Sequence, residues 1–137
     1  MPRANRHMLP GYCYHLTHRC HNRDFLLKFA KDRDTYKGFV RDFVTNSGSP
    51  SILGYCITSN HVHFLVAGNS RDAIPDFMHH VQGRFATYYN RRKRRTGGFW
   101  EGRYHATAVE TGRNVDCARG CRRHLCLNVI SRGKNGL

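Results

Sequence analysis

The run Ile52-Leu53-Gly54-Tyr55-Cys56-Ile57-Thr58-Ser59-Asn60-His61-Val62-His63-Phe64-Leu65-Val66 holds the side chains best placed to do chemistry. It reads as two apolar strands joined by a tight polar turn, with His61 and His63 opening the second strand. Side chains at i and i+2 of a strand share a face, so the two imidazoles project together while Val62 turns away. Two imidazoles on one rigid strand make half of a divalent-cation site. The competing reading is a pair of strand histidines on a wet face, and the spacing alone does not separate the two.

A second stretch carries a different chemistry. From Arg84 to Tyr104, Arg84, Arg91, Arg92, Lys93, Arg94, Arg95 and Arg103 alternate with Phe85, Tyr88, Tyr89, Phe99, Trp100 and Tyr104. Cations track a phosphate backbone, and aromatic faces stack unpaired bases at about 1–3 kcal/mol each. Arg84, Tyr89, Arg91, Arg92, Lys93, Arg94, Arg95, Trp100 and Arg103 are the expected nucleic-acid contacts. Phe85 and Tyr88 fit an apolar helix stripe and are assigned to the core. The whole chain supports a polyanionic partner: 23 Lys+Arg against 9 Asp+Glu give a formal net charge of +14.

The same totals exclude other classes. No apolar run is long enough for a membrane span, and the first residues lack the apolar core of a signal peptide, so a cytoplasmic protein with no membrane partner is expected. After Asp76 only Glu101, Glu110 and Asp116 remain as carboxylates, too few for a carboxylate-based two-metal nuclease. A cation would instead be held by the imidazoles, acting as a Lewis acid on a phosphate oxygen. The six cysteines contain no CxxC pair, and reduced thiols are expected, not structural zinc.

These residues must be positioned by a small set of elements. Residues 11–19 read as a strand with Tyr12, Tyr14, Leu16 and His18 on one face and Cys13, His15, Thr17 and Arg19 on the other. His15 could face the imidazole pair, although a satisfied sheet histidine is the simpler role. Residues 20–24 form a polar connection suited to phosphates. Tyr36, Phe39, Val40, Phe43 and Val44 recur at helical spacing over 29–46, and the run stops at Gly48 and Pro50. A second helix begins near residue 70 or 72, with a stripe of Ile74, Phe77, Met78, Val81, Phe85 and Tyr88. It breaks at Gly97-Gly98. A strand over 104–110 and a closing helix from 114 to about 128 complete the chain. One α+β domain over 1–137 follows: a ferredoxin-like antiparallel sheet with helices packed on one face.

Taken together, Tyr14-His15-Leu16-Thr17, Arg19 with Asn22-Arg23, Tyr55 with Asn60-His61-Val62-His63-Phe64-Leu65-Val66, Arg84 with Tyr88 and Asn90-Arg91, and Phe99-Trp100-Glu101-Gly102-Arg103 resemble successive signatures of the single-tyrosine HUH transposases (IS200-like). The likeness is nearest to their REP-associated subgroup, which acts on single-stranded hairpin DNA. It spans roughly residues 9–110 in order. It implies Mg²⁺ or Mn²⁺ held by His61 and His63 at the scissile phosphate, and attack by a helix tyrosine to leave a 5′-phosphotyrosine. Single-stranded or hairpin DNA is the implied partner, and a homodimer is compatible with it.

The chain departs from that pattern at its end. The family's closing helix resembles Tyr-Ile-x-Leu-Asn followed by Pro, whereas this sequence has His124-Leu125-Cys126-Leu127-Asn128-Val129. Asn128 matches the amide that assists the metal, and His124 stands at the nucleophile's position. Either the copy is degenerate or another tyrosine serves, with Tyr88, Tyr89 and Tyr104 available in the C-terminal half. Two functions stay open: a metal-dependent DNA endonuclease and strand transferase, or a module that grips hairpin DNA without forming the covalent link. RNA binding by the same sheet face is a third, weaker option.

Overall fold

Strand alternation and helical periodicity sort the chain into two layers. The structure, a computed structural model, describes residues 8–109 and the backbone of 128–129. In order come β1 (Cys13–Arg19), a 3-10 turn (His21–Arg23), α1 (Ala30–Ser47), β2 (Ser51–Ile57), β3 (His61–Ala67), α2 (Ala73–Arg92), β4 (His105–Val109) and β5 (Asn128–Val129). The antiparallel sheet runs β4-β1-β3-β2-β5. The first four strands and two helices have the expected ferredoxin-like order. Residues 114–127 of the expected closing helix lie outside the described residues. Its last residue, Asn128, is instead in a strand, paired with Tyr55.

Alternation decides which face is dry. Val62, Phe64 and Val66 of β3 join Tyr14 and Leu16 of β1 in one core with Tyr36 and Val40 of α1 and Ile74, Phe77, Met78, Val81, Phe85 and Tyr89 of α2. Each such side chain contributes roughly 1.5–3 kcal/mol by leaving water. Residues of the other parity, Cys13 and Leu65, form a separate small cluster on the opposite face. Ile52 and Tyr55 both reach the helix-side core although they are three apart in β2. A register shift between Ile52 and Gly54 makes this work, because one extra residue resets the alternation. At the end of α1, Gly48 takes φ 71° and returns its N–H to Val44 O at 2.8 Å, a left-handed cap that glycine adopts without steric cost.

One polar group sits inside this core and ties its parts together. Gln82 of α2 is 5% exposed. Its Oε1 accepts from the Tyr36 hydroxyl of α1, and its Nε2 donates to His18 Nδ1 of β1 at 3.0 Å. His18 Nε2 then donates to Gly102 O at 2.9 Å, and Trp100 Nε1 donates to the Gln82 carbonyl at 3.0 Å. Burial pushes the Tyr36 phenol well above its ordinary range, against the opposing hydrogen bond to Gln82, so it stays protonated as the donor. Two helices, the central sheet and the 99–102 segment are thus joined through Gln82 and its partner His18. Gln82→Ala would leave the Tyr36 hydroxyl and His18 Nδ1 without this partner. It is expected to cost roughly 2–4 kcal/mol in chemical denaturation. A loss below about 0.5 kcal/mol, the range of an ordinary surface change, would show that the network is not a structural hub.

Candidate functional site

β3 is the middle strand of the sheet, so its open face is flanked on both sides. His61 lies opposite Arg19 of β1, and His63 lies between Thr17 of β1 and Cys56 of β2. The helices cover Val62 and Phe64, which leaves His61 and His63 together on the other face, their ring centroids 4.8 Å apart. The expected juxtaposition is therefore present. His15 joins it: its ring stacks on that of His63 at 5.2 Å, and its Nε2 lies 3.0 Å from His63 Nδ1. Pairing of β1 with β3 puts His15 on this face, where it is a hydrogen-bonded sheet histidine beside His63.

Hydrogen bonds at Nδ1 orient both rings. His61 Nδ1 is 2.7 Å from Asn60 Oδ1 and 2.8 Å from Thr58 Oγ1. An amide oxygen only accepts, so Nδ1 carries the proton and Nε2 presents a lone pair. At His63, the tautomer that donates from Nδ1 to His15 likewise leaves its buried Nε2 as an electron-pair donor. Holding one ring nitrogen so that the other faces a metal is the usual outer-shell arrangement of ligating histidines. Among the described residues no group of three or more His, Cys, Asp or Glu side chains is placed to hold a metal. Burial, and secondarily the positive charge of Arg19, pull the His61 pKa below 6.5, so its neutral form persists into mildly acidic solution.

The basic tract is divided by the fold. Arg91, Lys93 and Arg94 are exposed at the end of α2. Arg92 pairs with buried Asp32 of α1, and Arg95 bonds Asn90 Oδ1 at 2.9 Å and Gly98 O at 3.0 Å, so these two brace the structure. Arg84 lies over the Phe39 ring at 5.8 Å and, with Tyr88, Arg91 and Arg92, borders an open groove of about 510 Å³ on the helical layer. Arg103 is half-buried. Two of the expected aromatic contacts are packed inward. Tyr89 is 7% exposed and packs on Phe99 at 5.0 Å, while Tyr88 lies nearer the surface. Adjacent helix positions point about 100° apart, and the inward one is Tyr89. Trp100 stacks on His18 at 4.5 Å and donates to Gln82 O, so it is a wedge at the core's edge and not an open platform.

All seven tyrosines fall among the described residues, and none lies beside the imidazole pair. Tyr14, Tyr36, Tyr55, Tyr89 and Tyr104 belong to the helix-side core, and Tyr88 packs against it. Tyr12 precedes β1, five residues before Thr17, the partner of His63, which is roughly 16 Å along an extended chain. Burial also raises the Tyr89 pKa, which opposes any role as a phenolate. Cys20 is likewise inert: burial raises its thiol to about 12. Cys117, Cys121, Cys126 and His124 lie outside the described residues, and only the backbone of Asn128 is described.

The α+β fold is shared with known proteins. The profile of the IS200-like transposases matches residues 9–119, and the chain belongs to that family. Its fold matches a REP-associated tyrosine transposase bound to a REP hairpin, with a TM-score of 0.64, 14% identity, and coverage of 91% of this chain and 68% of that one. It also matches a putative transposase from Deinococcus radiodurans R1, with a TM-score of 0.60, 20% identity, and coverage of 89% and 97%. No curated protein matches the sequence. Among the described residues no helix is long and apolar enough to cross a membrane.

The environment of His61 has a measurable consequence. Its ring protons should titrate in an NMR pH series with a midpoint below 6.5, and Arg19→Gln should raise that midpoint by removing a nearby positive charge. Because burial is the larger cause, the variant should still fall short of 6.5. A wild-type midpoint at or above 6.5 would contradict the described environment.

Proposed function

We propose that this chain is a transposase-family protein that binds single-stranded or hairpin DNA, holds a divalent cation between His61 and His63, and forms no stable phosphotyrosine link. The observation that carries the last point is the location of the seven tyrosines, all on the helix-side layer or at the far end of β1. Family membership, the net charge of +14 and the hairpin-bound structural neighbour support the DNA partner.

The residues divide the work as follows. Asn60, Thr58 and His15 orient the two imidazoles, whose Nε2 atoms serve as ligands. Imidazoles match Mn²⁺ better than Mg²⁺, which prefers oxygen donors and retains its waters. A bound cation would supply Lewis-acid polarisation of a phosphate oxygen. Asn128 and His124 are assigned by resemblance as the assisting amide and as the residue at the nucleophile's position. Arg19 at the end of β1 adds positive charge beside His61, where a phosphate would lie. Arg91, Lys93 and Arg94 extend that charge along the DNA backbone.

With Mn²⁺ and labelled hairpins, the protein should retain DNA under native conditions and yield no acid-stable adduct. His124→Tyr should gain a covalent, acid-stable product, whereas a phosphohistidine from the unmodified chain would be destroyed in acid. An acid-stable adduct from the unmodified protein that disappears on Tyr88→Phe, Tyr89→Phe or Tyr104→Phe would overturn the assignment. Replacing Arg91, Lys93 and Arg94 with Ala should flatten the slope of log affinity against log salt by about 0.7–0.9 for each phosphate no longer neutralised. An unchanged slope would place the DNA backbone on another surface.

A further inference from the structure

Two phenylalanines stand in water on a fastened segment. Phe25 and Phe29 are 65% and 57% exposed, in the connection between the 3-10 turn and α1. Leu27 between them is fully buried, and its N–H donates to Ser59 O at 2.8 Å. Arg33 Nη1 donates to the carbonyls of Leu27 and Lys28 at 2.9 and 2.6 Å, and Asn60 Nδ2 donates to Arg23 O at 3.3 Å. The segment is thus tied to the β2–β3 turn that ends at Asn60, immediately before His61. Large apolar rings held outward on a bound backbone cost water contact with no gain in packing, and they are already ordered for a partner.

Charge indicates which partner. The ammonium groups of Lys28 and Lys93 each lie 5.6 Å from the centre of the Phe29 ring. Lys93 comes from the C-terminal end of α2, next to exposed Arg94, so two separate elements bring cations to one exposed ring. Exposed aromatics interleaved with mobile cations suit an unpaired nucleotide: the base stacks on the ring while the flexible lysines turn to its phosphates. We infer that Phe25 and Phe29, flanked by Lys28 and Lys93, form a stacking platform for the single-stranded part of a DNA ligand on its way to the His61–His63 pair. This inference rests on the DNA-binding reading above and adds the surface that distinguishes an unpaired strand from a hairpin stem.

The test compares a blunt hairpin with the same hairpin carrying a short single-stranded extension that contains 2-aminopurine. Wild type should favour the extended hairpin and quench the probe. The Phe25→Ala, Phe29→Ala double variant should bind the extended hairpin about tenfold or more weakly and the blunt one as before, with the salt slope unchanged because no charge is removed. Phe29→Trp should keep the quenching, and Phe25→Leu with Phe29→Leu should abolish it at an unchanged thermal midpoint, which separates stacking from folding. Equal binding of the extended hairpin by wild type and double variant, or equal weakening on both hairpins, would overturn the platform alone. Wild-type protein that binds neither hairpin but binds anionic phosphatidylserine vesicles through Phe25 and Phe29 would overturn both the platform and the DNA reading.

Discussion

The two faces of β3 govern the molecule. Val62, Phe64 and Val66 must be buried against the helices, and the strict alternation of a strand then sends His61 and His63 to the other side. Shifting the register by one residue would bury two imidazoles against Tyr36 and Phe77, a costly desolvation of polar rings. The energy that seats the helices is therefore the same energy that aims the histidines. A site built on the middle strand also inherits its rigidity, because β1 and β2 clamp it along its length.

The polar core around Gln82 extends that control to the far end of α2. Through His18, Trp100 and the carbonyl of Gly102, it fixes the segment that follows the basic tract against β1. The backbone continues the tie: Cys20 N donates to Asn60 O at 2.8 Å, His21 N to Phe99 O at 2.8 Å, and Glu101 N to Arg19 O at 2.8 Å. Basic residues after α2, the 21–29 connection and the turn before His61 are consequently neighbours at one end of the sheet. A phosphate backbone crossing that end would meet Arg94 and Lys93, the exposed phenylalanines and the imidazoles without leaving the protein surface.

Much of this was legible because it depends on period alone. The four strands and two helices up to residue 109, their ferredoxin-like order and the shared face of His61 and His63 follow from alternation and helical spacing, whereas the helix expected to end near Asn128 does not, since Asn128 lies in β5. Where a finer distinction was needed, the pattern was insufficient. Tyr88 and Tyr89 both border the apolar stripe of α2, and a stripe about 100° wide or more admits either, so only packing against Phe99 selects Tyr89. Gln82 reads as a surface residue in a linear pattern, because its partners Tyr36 and His18 are distant in sequence. The extra residue at Leu53 leaves no compositional trace, yet it lets Ile52 and Tyr55 share a face. Exposure of Phe25 and Phe29 is the reverse case, since apolar residues beside a helix start are ordinarily read as core.

Most depends on the imidazole pair being the place where a cation binds. Paramagnetic Mn²⁺ tests this without any DNA or turnover. Substoichiometric Mn²⁺ should broaden the amide signals of His61, His63, Thr17 and Cys56 first and leave Ile74 and Phe77 across the sheet comparatively sharp. That selectivity should vanish when His61→Ala and His63→Ala are combined. Broadening centred elsewhere, or an unchanged pattern in the double variant, would contradict the assignment of His61 and His63 as the metal-holding face of this transposase-family protein.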